Sequence, residues 1–408
     1  MVPTIRPTRY TSTRSGLVTR QVCVSDSEAS VILQQVGRLV FGAGAMGQVA
    51  GDLARSGLTS VCIVTTPPTR GHAERLAADI RSQGAKAVVW DDCLQEPGRR
   101  DFENVLEVAR GAGADAVIGL GGGSAMDLAK LVAALLDGKQ DIAEVSGVDL
   151  LAGRSTWLAC IPTTAGTGSE VSPIAILLDE DALLKKGVVS PHLVPDAAYV
   201  DPELTRTMPP GVTASTGLDA LTHCIEAFAN RFAHPMVDTF AIEGIRLISS
   251  SLLTAVRDGD DLAARTAMAR GSLYGGLCLG PVNTAAVHAL AYPLGGEFHI
   301  AHGISNALLL PHVLAFNLPA ATERYALVAE ALGCDASGSR ETVARRGLEH
   351  VRQLSEDCGI PLRLSLHGVT RDSIPRMADG AMTVTRLLER NVREVHLEDA
   401  LRIYEEAY

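Results

Sequence analysis

Aromatic residues, long apolar runs and clusters of basic residues are all scarce in this chain. Phe, Trp and Tyr make up 4% of the 408 residues, whereas hydrophobic residues as a whole make up 47%. Lys and Arg number 36 against 47 Asp and Glu, a formal net charge of −11, which disfavours a nucleic-acid-binding surface because such surfaces need clustered cations. No uninterrupted apolar run reaches the ~18 residues typical of a membrane-spanning helix. We therefore predict no nucleic-acid and no membrane partner.

The chain also has no closely spaced cysteine pair and few lysines. The eight cysteines form no Cys-x-x-Cys pair, and disulfide frameworks are typical of short secreted chains. We therefore predict buried, reduced thiols in a cytoplasmic protein. Residues 1–20 contain four arginines and no acid, a composition that fits either an organelle transit peptide or a docked N-terminal tail. We favour the tail, because arginine replaces lysine throughout a chain that has only five lysines.

Strand-like and helical segments alternate in the first half of the chain. Short apolar runs predict strands at 38–41, 60–64, 87–90, 116–120 and 157–161. Amphipathic stretches predict helices at 46–56, 72–83, 101–111 and 125–136. This alternation favours βαβ units and a parallel sheet.

The pattern changes after a connector punctuated by proline at 195–210. From residue 212 onward nearly every segment has helical periodicity, and strand-like runs are absent. We predict an N-terminal extension at 1–35, a Rossmann-like α/β nucleotide-binding domain at 36–208 and an all-α domain at 209–408.

Three loops after predicted strands have the composition of nucleotide-binding loops. Residues 42–47 match G-x-G-x-x-G, but the acid expected about 20 positions later is missing, so a tight turn explains the glycines equally well. Residues 121–124, Gly-Gly-Gly-Ser, allow the backbone to approach a diphosphate closely, and the helix behind them offers free N–H groups. The Thr- and Gly-rich residues 162–170 suit phosphate and ribose contacts at the end of a strand.

Four residues in the second half of the chain form a candidate metal site. Asp219 and His223 are spaced i, i+4 in a helical segment, which places both side chains on one face. His288 and His302 follow. One carboxylate and three imidazoles suit Fe²⁺ or Zn²⁺. Spacing alone leaves open a solvated Asp–His pair and structural histidines.

Residues 121–130, 162–170, 217–228 and 287–303 resemble, in order and in register, the iron-containing (group III) alcohol dehydrogenase family. The fourteen-residue gap between His288 and His302 is also that family's spacing. The resemblance implies an α/β nucleotide domain and a helical domain of the dehydroquinate synthase-like fold, with the active site in the cleft between them. It further implies an NAD- or NADP-linked, metal-dependent enzyme that interconverts a small alcohol with an aldehyde or ketone, and a homodimer or higher homo-oligomer.

The resemblance also assigns site residues, although it names no catalytic acid or base. The metal ligands, for Fe²⁺ or alternatively Zn²⁺, are Asp219, His223, His288 and His302. The cofactor-binding positions are Gly121, Gly122, Ser124 and Asp127 in the diphosphate loop, Thr163, Thr164 and Thr167 in the second loop, and Lys186 near the ribose.

Two positions depart from the family pattern. Thr66 stands where many members have an Asp that would repel a 2′-phosphate, and Arg70 is nearby, so we hypothesise that NADPH is tolerated or preferred. Tyr292 stands where many members have another His. It lies i+4 from His288 and so faces the same side of a helix, where it either relays a proton or shapes the pocket.

Two other activities compete with this interpretation. The Thr66–Pro67 pair resembles maleylacetate reductases, which often lack a metal, but the intact set of four metal ligands argues against that branch. A dehydroquinate synthase-like lyase would use NAD⁺ transiently and would produce no net NADH. By the family register, Ile174 and Leu279 line an apolar pocket, which favours a small or aliphatic substrate.

Overall fold

The computed structural model describes residues 30–93, 97–179 and 184–408. Residues 1–20, with the composition of a transit peptide or tail, and Cys23 lie outside the described residues. Residues 30–36 have no regular secondary structure, and Val31 and Leu33 pack against the core of the helical half. The described part of the predicted N-terminal extension is therefore docked on the protein.

The strands of the described residues lie in two sheets. They are β1 (Arg38–Phe41), β2 (Ser60–Val64), β3 (Lys86–Trp90), β4 (Ala116–Gly121), β5 (Gly147–Val148), β6 (Trp157–Pro162), β7 (Ile174–Asp179), β8 (Leu184–Val189) and β9 (Ala197–Val200). The larger sheet is parallel, with the order β1-β9-β6-β4-β2-β3. All five predicted strands belong to it. Strands β2 and β4 are buried along their whole length, as expected of a parallel sheet covered on both faces.

The predicted connector at 195–210 is partly wrong, because it contains a strand of the large sheet. Strand β9 lies between β1 and β6 and pairs with both. Its four residues are all buried, and the run is too short for periodicity to identify it. The small sheet, with the order β5-β8-β7, was not predicted either.

Helices alternate with the strands and then form the rest of the described chain. They are α1 (Val49–Arg55), α2 (Arg70–Ser82), α3 (Arg99–Gly111), α4 (Gly123–Leu135), α5 (Ile142–Val145), α6 (Pro210–Phe228), α7 (Pro235–Arg257), α8 (Leu262–Leu279), α9 (Ala286–Phe298), α10 (His302–Asn317), α11 (Thr322–Ala331), α12 (Arg340–Asp357), α13 (Ile374–Met382), α14 (Thr385–Leu388) and α15 (Leu397–Ala407). Helices α2, α3 and α4 each begin two residues before the predicted position. The predicted domain boundary near residue 208 falls just before α6, and the division into domains stays a prediction.

Helix α6 lies at the centre of the helical half and packs against α7, α8 and α10. Every residue from Gly217 to Phe228 is buried, including two acids and a histidine. Buried polar side chains are costly unless they find partners. The role of α6 therefore depends on the partners of these buried polar side chains.

Helix α7 is the one helix of the described residues that is long and apolar enough to cross a membrane, judged by length and composition alone. The sequence analysis found no uninterrupted apolar run there, because polar residues are scattered through the helix. Its face with Val237, Ala241 and Ile245 is buried in the core. Burial of this face in the core therefore explains the apolar composition of α7.

The cysteines of the described residues are free, and most are buried. Burial raises the pKa of Cys62 and of Cys160 to about 12, so both thiols stay protonated and unreactive at neutral pH. The predicted reduced, structural thiols are confirmed for these residues.

Candidate active site

A cavity of about 630 Å³ is lined by residues from both halves of the protein. Nine of the predicted site residues line it, namely Gly122, Ser124, Asp127, Thr164, Thr167, Asp219, His223, His288 and His302. The first five follow the carboxyl ends of β4 and β6, where open parallel sheets bind their ligands. The other predicted residues, Thr66, Gly121, Thr163 and Lys186, are not among those that line it.

Three helices bring the predicted metal ligands together. Asp219 and His223 lie one turn apart on α6, and the Asp219 Oδ1 atom is 3.8 Å from the His223 Nε2 atom. His288 on α9 and His302, the first residue of α10, place their Nε2 atoms 3.6 and 3.8 Å from the same oxygen. An ion with bonds of ~2.0–2.2 Å to each donor atom fits among atoms at this spacing. Ligand atoms of Asp219, His288 and His302 all lie within 4.8 Å of one another, which suits one divalent cation, and His223 is near Asp219 but outside this group of three.

Hydrogen bonds hold two of the imidazoles in the orientation that a metal requires. His288 donates from Nδ1 to the Glu226 Oε2 atom at 2.6 Å, and the other carboxylate oxygen accepts from the Val287 N–H at 2.6 Å. The Nδ1 of His223 lies 3.3 Å from the Gly166 carbonyl oxygen. In the neutral form of each ring, the contact at Nδ1 takes the one ring proton, which leaves Nε2, facing Asp219, free to bind a metal. Neither Glu226 nor Gly166 has a role that can be predicted from the local sequence pattern.

Charges in the site favour an ionised Asp219. Burial by itself would raise the pKa of Asp219, but the surrounding imidazoles outweigh burial and hold the pKa well below its usual range. Burial also disfavours the charged form of His223, whose pKa is therefore lowered. For His288 the effect of burial is outweighed by the carboxylates of Glu226 and Asp219, which raise its pKa to about 9. The site thus attracts positive charge at the His288 ring, which a divalent cation can supply in place of a proton.

Asn306 is a further member of the site that the sequence analysis missed. It is fully buried, and its Nδ2 donates to Asp219 Oδ1 at 2.7 Å. The same nitrogen lies 3.1 Å from His288 Nε2 and 3.3 Å from His302 Nε2. Its Oδ1 has no hydrogen-bond partner among the described residues, which fits a site completed by a bound ion. The i, i+4 spacing from His302 is the sequence signal that would have identified it.

The two predicted cofactor loops pack closely against each other. A Cβ atom on Gly123 would lie 2.9 Å from Thr167 Cγ2, and one on Gly122 would lie 3.4 Å from Thr164 Cγ2. The Thr164 hydroxyl is buried and has no partner in the described part of the chain. Helix α4 begins at Gly123, and the N–H groups of a first helical turn bind anions. Backbone N–H groups beside an unpaired hydroxyl fit a diphosphate.

Asp127 connects the first cofactor loop to its neighbours. Its carboxylate accepts from the Ser169 hydroxyl at 2.6 Å and from the Ile176 N–H at 3.0 Å. It therefore ties α4 to the second loop and to β7, although it also lines the cavity. Thr163 is buried and donates its N–H to the Gly121 carbonyl at 2.9 Å. Cofactor contacts by these residues stay predictions.

The remaining predicted cofactor residues, Thr66 and Lys186, do not line the cavity. Thr66 contacts Thr69 through their hydroxyls, 2.7 Å apart, just before α2. Arg70 at the start of α2 forms ion pairs with Asp91 at 2.9 Å and with Glu74 at 3.4 Å. Lys186 is exposed on β8, opposite Leu177 of β7.

The glycines at residues 42–47 serve a turn. The N–H groups of Gly44 and Met46 donate to the two carboxylate oxygens of Asp201, at 3.1 and 3.2 Å. Asp201 directly follows β9, so this turn is tied to the neighbouring strand. The N–H groups of Gly44 and Met46 are thus hydrogen-bonded within the protein, and residues 42–47 do not line the cavity. A tight turn therefore explains the glycines of this segment.

Tyr292 lies in the cavity, whereas the neighbouring His299 does not. His299 is exposed and ends α9 with a positive φ of 54°. Tyr292 is half-buried one turn after His288, and burial raises the pKa of its hydroxyl, an effect that Arg386 partly offsets.

Comparisons with known proteins agree with this geometry. The family profile described as iron-containing alcohol dehydrogenase matches residues 37–202. The profile described as the C-terminal part of the Fe-containing alcohol dehydrogenase family matches residues 213–408. Together the two profiles span both walls of the cavity.

Individual relatives extend over nearly the whole chain. Long-chain-alcohol dehydrogenase 1 of Geobacillus thermodenitrificans is 40% identical over 385 residues, 91% of this chain and 97% of its own length. NAD-dependent methanol dehydrogenase of Bacillus methanolicus is 33% identical over 371 residues, 90% of this chain and 97% of its own. The solved structure of an alcohol dehydrogenase from Oenococcus oeni superposes with a TM-score of 0.90 at 31% identity, covering 93% of this chain and 100% of that one. This chain therefore belongs to the iron-containing alcohol dehydrogenase family and is an oxidoreductase that interconverts alcohols and carbonyl compounds.

Proposed function

We propose that Asp219, His223, His288 and His302 bind one divalent cation, Fe²⁺ or alternatively Zn²⁺, and that the cavity binds NAD or NADP beside it. The observation that carries this proposal is the convergence of three imidazole Nε2 atoms on one buried carboxylate oxygen, at 3.6–3.8 Å. When bound, the metal supplies a Lewis acid for the substrate oxygen, and the dinucleotide supplies or accepts the hydride.

The side chains around the site prepare it for this chemistry. Glu226 and the Gly166 carbonyl hold the Nδ1 protons of His288 and His223, so that both rings keep Nε2 available. Asn306 holds Asp219 in place through the bond between its Nδ2 and Oδ1. These contacts hold the donor atoms in fixed positions, and fixed donors reduce the reorganisation that the reaction needs.

The cofactor loops have a separate task. Gly122 and Gly123 let the two loops meet closely, and the N-terminus of α4 with the Thr164 hydroxyl offers donors for the diphosphate. These donors attract the anionic dinucleotide locally. Local attraction is needed because the chain as a whole carries a net charge of −11. Thr163, Thr167, Gly121, Ser124 and Lys186 complete the proposed cofactor site.

The apolar cavity wall supports an aliphatic substrate. Ile174, Ile176 and Leu279 line the cavity, and such a wall excludes water from the reacting atoms. One relative is named for long-chain alcohols and another for methanol. We therefore infer a primary aliphatic alcohol and its aldehyde as the substrate pair of this chain.

Metal analysis of the purified enzyme tests the proposal. We expect one Fe²⁺ or Zn²⁺ per chain, loss of turnover on chelation, recovery on adding the metal back, and loss of metal in His288→Ala. The exposed His192 provides the control, because His192→Ala should retain both metal and activity. A metal-free enzyme with full activity would indicate a maleylacetate reductase-type mechanism. Turnover without net NADH production would indicate a lyase.

Cofactor choice forms a second test. Thr66 presents no carboxylate to a 2′-phosphate, and Arg70 is close by, although Asp91 and Glu74 now pair with it. We infer that NADPH is used, with Arg70 exchanging a carboxylate for the phosphate. Arg70→Ala should raise KM for NADPH and leave KM for NADH unchanged. A wild-type kcat/KM for NADH at least 100-fold above that for NADPH contradicts the inference.

Assembly and compartment remain part of the proposal. We infer a homodimer or higher homo-oligomer in the cytoplasm, from the habits of the family. Light scattering of the purified protein, together with fractionation of the source cells, tests both points.

A further inference from the structure

Arg386 is a cation on the cavity wall that has no counter-ion among the described residues. It belongs to α14 and lines the same cavity as the predicted metal ligands. Its Nη1 atom is buried without a hydrogen-bond partner, and no carboxylate within residues 30–93, 97–179 and 184–408 forms an ion pair with it. A buried N–H group without a partner costs free energy. The guanidinium is therefore suited to a ligand that brings an acceptor.

The neighbours of Arg386 do not neutralise its charge. The Tyr292 hydroxyl, one turn after His288 on α9, has its pKa raised by burial, and the charge of Arg386 partly offsets this rise. Arg390 lies one turn further along the chain, and its pKa is lowered by burial and then by the charge of Arg386. The two like charges repel each other, and a bound anion relieves the repulsion.

Apolar side chains line other parts of the cavity. Ile176 and Leu178 from β7 and Ile360 after α12 are apolar and line the same cavity. The two carboxylates that line it have other partners, since Asp127 accepts from Ser169 and Ile176 and Asp219 belongs to the metal site. One cation in an apolar wall matches a ligand with an apolar chain and a single negative group.

We propose that Arg386 binds the carboxylate of the substrate, and that the preferred substrates are short straight-chain oxo acids and the matching hydroxy acids. The fork of a guanidinium matches a carboxylate in two parallel hydrogen bonds. In the reaction NAD(P)H gives a hydride to the carbonyl carbon and a proton from water reaches the oxygen, while the carboxylate is unchanged. This inference rests on the proposed function and narrows its substrate class.

A panel of matched substrates tests the inference on the metal-loaded wild-type enzyme. The panel contains 4-oxobutanoate, 5-oxopentanoate and 6-oxohexanoate, each paired with the neutral aldehyde of the same chain length. We expect kcat/KM for the best oxo acid to exceed that of its neutral partner at least about tenfold, mainly through a lower KM. Equal values, or a preference for every neutral partner, overturn the inference.

Variants locate the effect at Arg386. Arg386→Met keeps the length of the side chain without its charge and should raise KM for the oxo acid about tenfold or more, while KM for the neutral aldehyde stays unchanged. Arg386→Lys should retain part of the preference, and it serves if the Met variant does not fold. Arg376→Met is the matched control, because Arg376 pairs with Glu297 on the surface. A control that loses the preference equally contradicts the assignment.

Two binding measurements do not depend on turnover. Calorimetry with butanoate and the enzyme–cofactor complex should show binding to wild type that is lost in Arg386→Met. Titration with NAD(P)H, followed by fluorescence, should give the same Kd for both proteins. A weakened cofactor Kd in the variant would instead assign Arg386 to the dinucleotide and overturn the inference.

The outcomes also separate this inference from the proposed function. If neutral aldehydes are reduced and oxo acids are not preferred, the carboxylate site is wrong and the alcohol dehydrogenase mechanism stands. If the metal-loaded enzyme reduces no member of the panel and binds no metal at His288, the proposed function itself is wrong.

Discussion

Individual side chains in this protein act through partners that fix their protonation. The His288 ring has its Nδ1 proton held by Glu226, and the His223 ring lies against the Gly166 carbonyl. A histidine can offer one ring nitrogen to a metal only when the other carries the proton. The tautomers of these two proposed ligands are therefore set by groups outside the proposed set of metal ligands.

Replacing Glu226 by Gln should weaken metal binding. Both carboxylate oxygens of Glu226 are acceptors, one for Val287 N–H and one for His288 Nδ1. A Gln side chain has one oxygen, so its NH₂ group would face one of these donors. We expect metal affinity to fall about 10- to 100-fold, measured by competition with a chelator. The surface acid Glu297 supplies the control, Glu297→Gln, whose affinity should equal that of wild type.

His312 should make the protein sensitive to acid. Burial, and then the charge of Arg352, lower the pKa of His312 from 6.5 to about 4. Between these values the unfolded chain binds the proton and the folded protein does not, so stability is lost as pH falls from about 6.5 towards 4.

The variant His312→Gln lacks this loss of stability. Relative to the variant, wild type should lose about 1.4 kcal/mol of unfolding free energy per pH unit in this window. Urea unfolding of both proteins at pH 7.5, 6 and 5 measures the difference, with pH 7.5 as the reference. A constant difference across the three pH values would contradict the prediction.

Secondary-structure elements position the site through close contacts at their ends. Helix α10 begins at His302, and the next residue, Gly303, lies against α6. A Cβ atom on Gly303 would lie 2.2 Å from the Ser215 carbonyl oxygen. The absence of a side chain at this position therefore sets how near His302 comes to Asp219.

Gly303→Ala should displace the start of α10. Relieving the overlap with Ser215 moves His302 away from α6, and overpacking of this kind costs about 1–3 kcal/mol. We expect both a lower melting temperature and a reduced metal content. Gly111→Ala, at the end of α3, is the matched control, because nothing lies within 4 Å of the added Cβ. A Gly303→Ala protein with full metal content would show that α10 tolerates the shift.

At the scale of the whole molecule, the cavity joins a parallel sheet to a bundle of helices. The sheet contributes the loops after β4 and β6, and the helical half contributes the ligands on α6, α9 and α10. Because the proposed metal ligands come from three separate helices, an ion bound by them would crosslink the helical half. The metal should therefore stabilise the fold as well as serve the reaction.

Removing the metal should lower the stability of the wild-type protein. A ligand at 100 times its Kd stabilises the folded state by about 2.7 kcal/mol, and chelation removes that contribution. Thermal unfolding with and without chelator measures the shift, and His288→Ala should show none. Equal melting temperatures for loaded and stripped wild-type protein would contradict the crosslinking role.

Much of this protein follows from local patterns in its sequence. Five apolar runs identified strands of the large sheet. The signal is most direct for β2 and β4, which are buried along their whole length, because a strand buried on both faces must be apolar. The Gly-rich loop at 121–124 and the ligand types at Asp219, His223, His288 and His302 were equally visible, because their chemistry belongs to the residues themselves.

Only the tertiary structure decided which distant residues become partners. Glu226 holds His288 across 62 positions, and Asp201 takes the N–H groups of the turn at Gly44 from 157 positions away. Strand β9 entered the sheet because its buried side chains and backbone found partners on both sides. Arg386 lines the cavity because the fold brings α14 next to segments that are remote from it in sequence. A sequence records which groups can bind, but burial and distance between remote segments determine which of them meet.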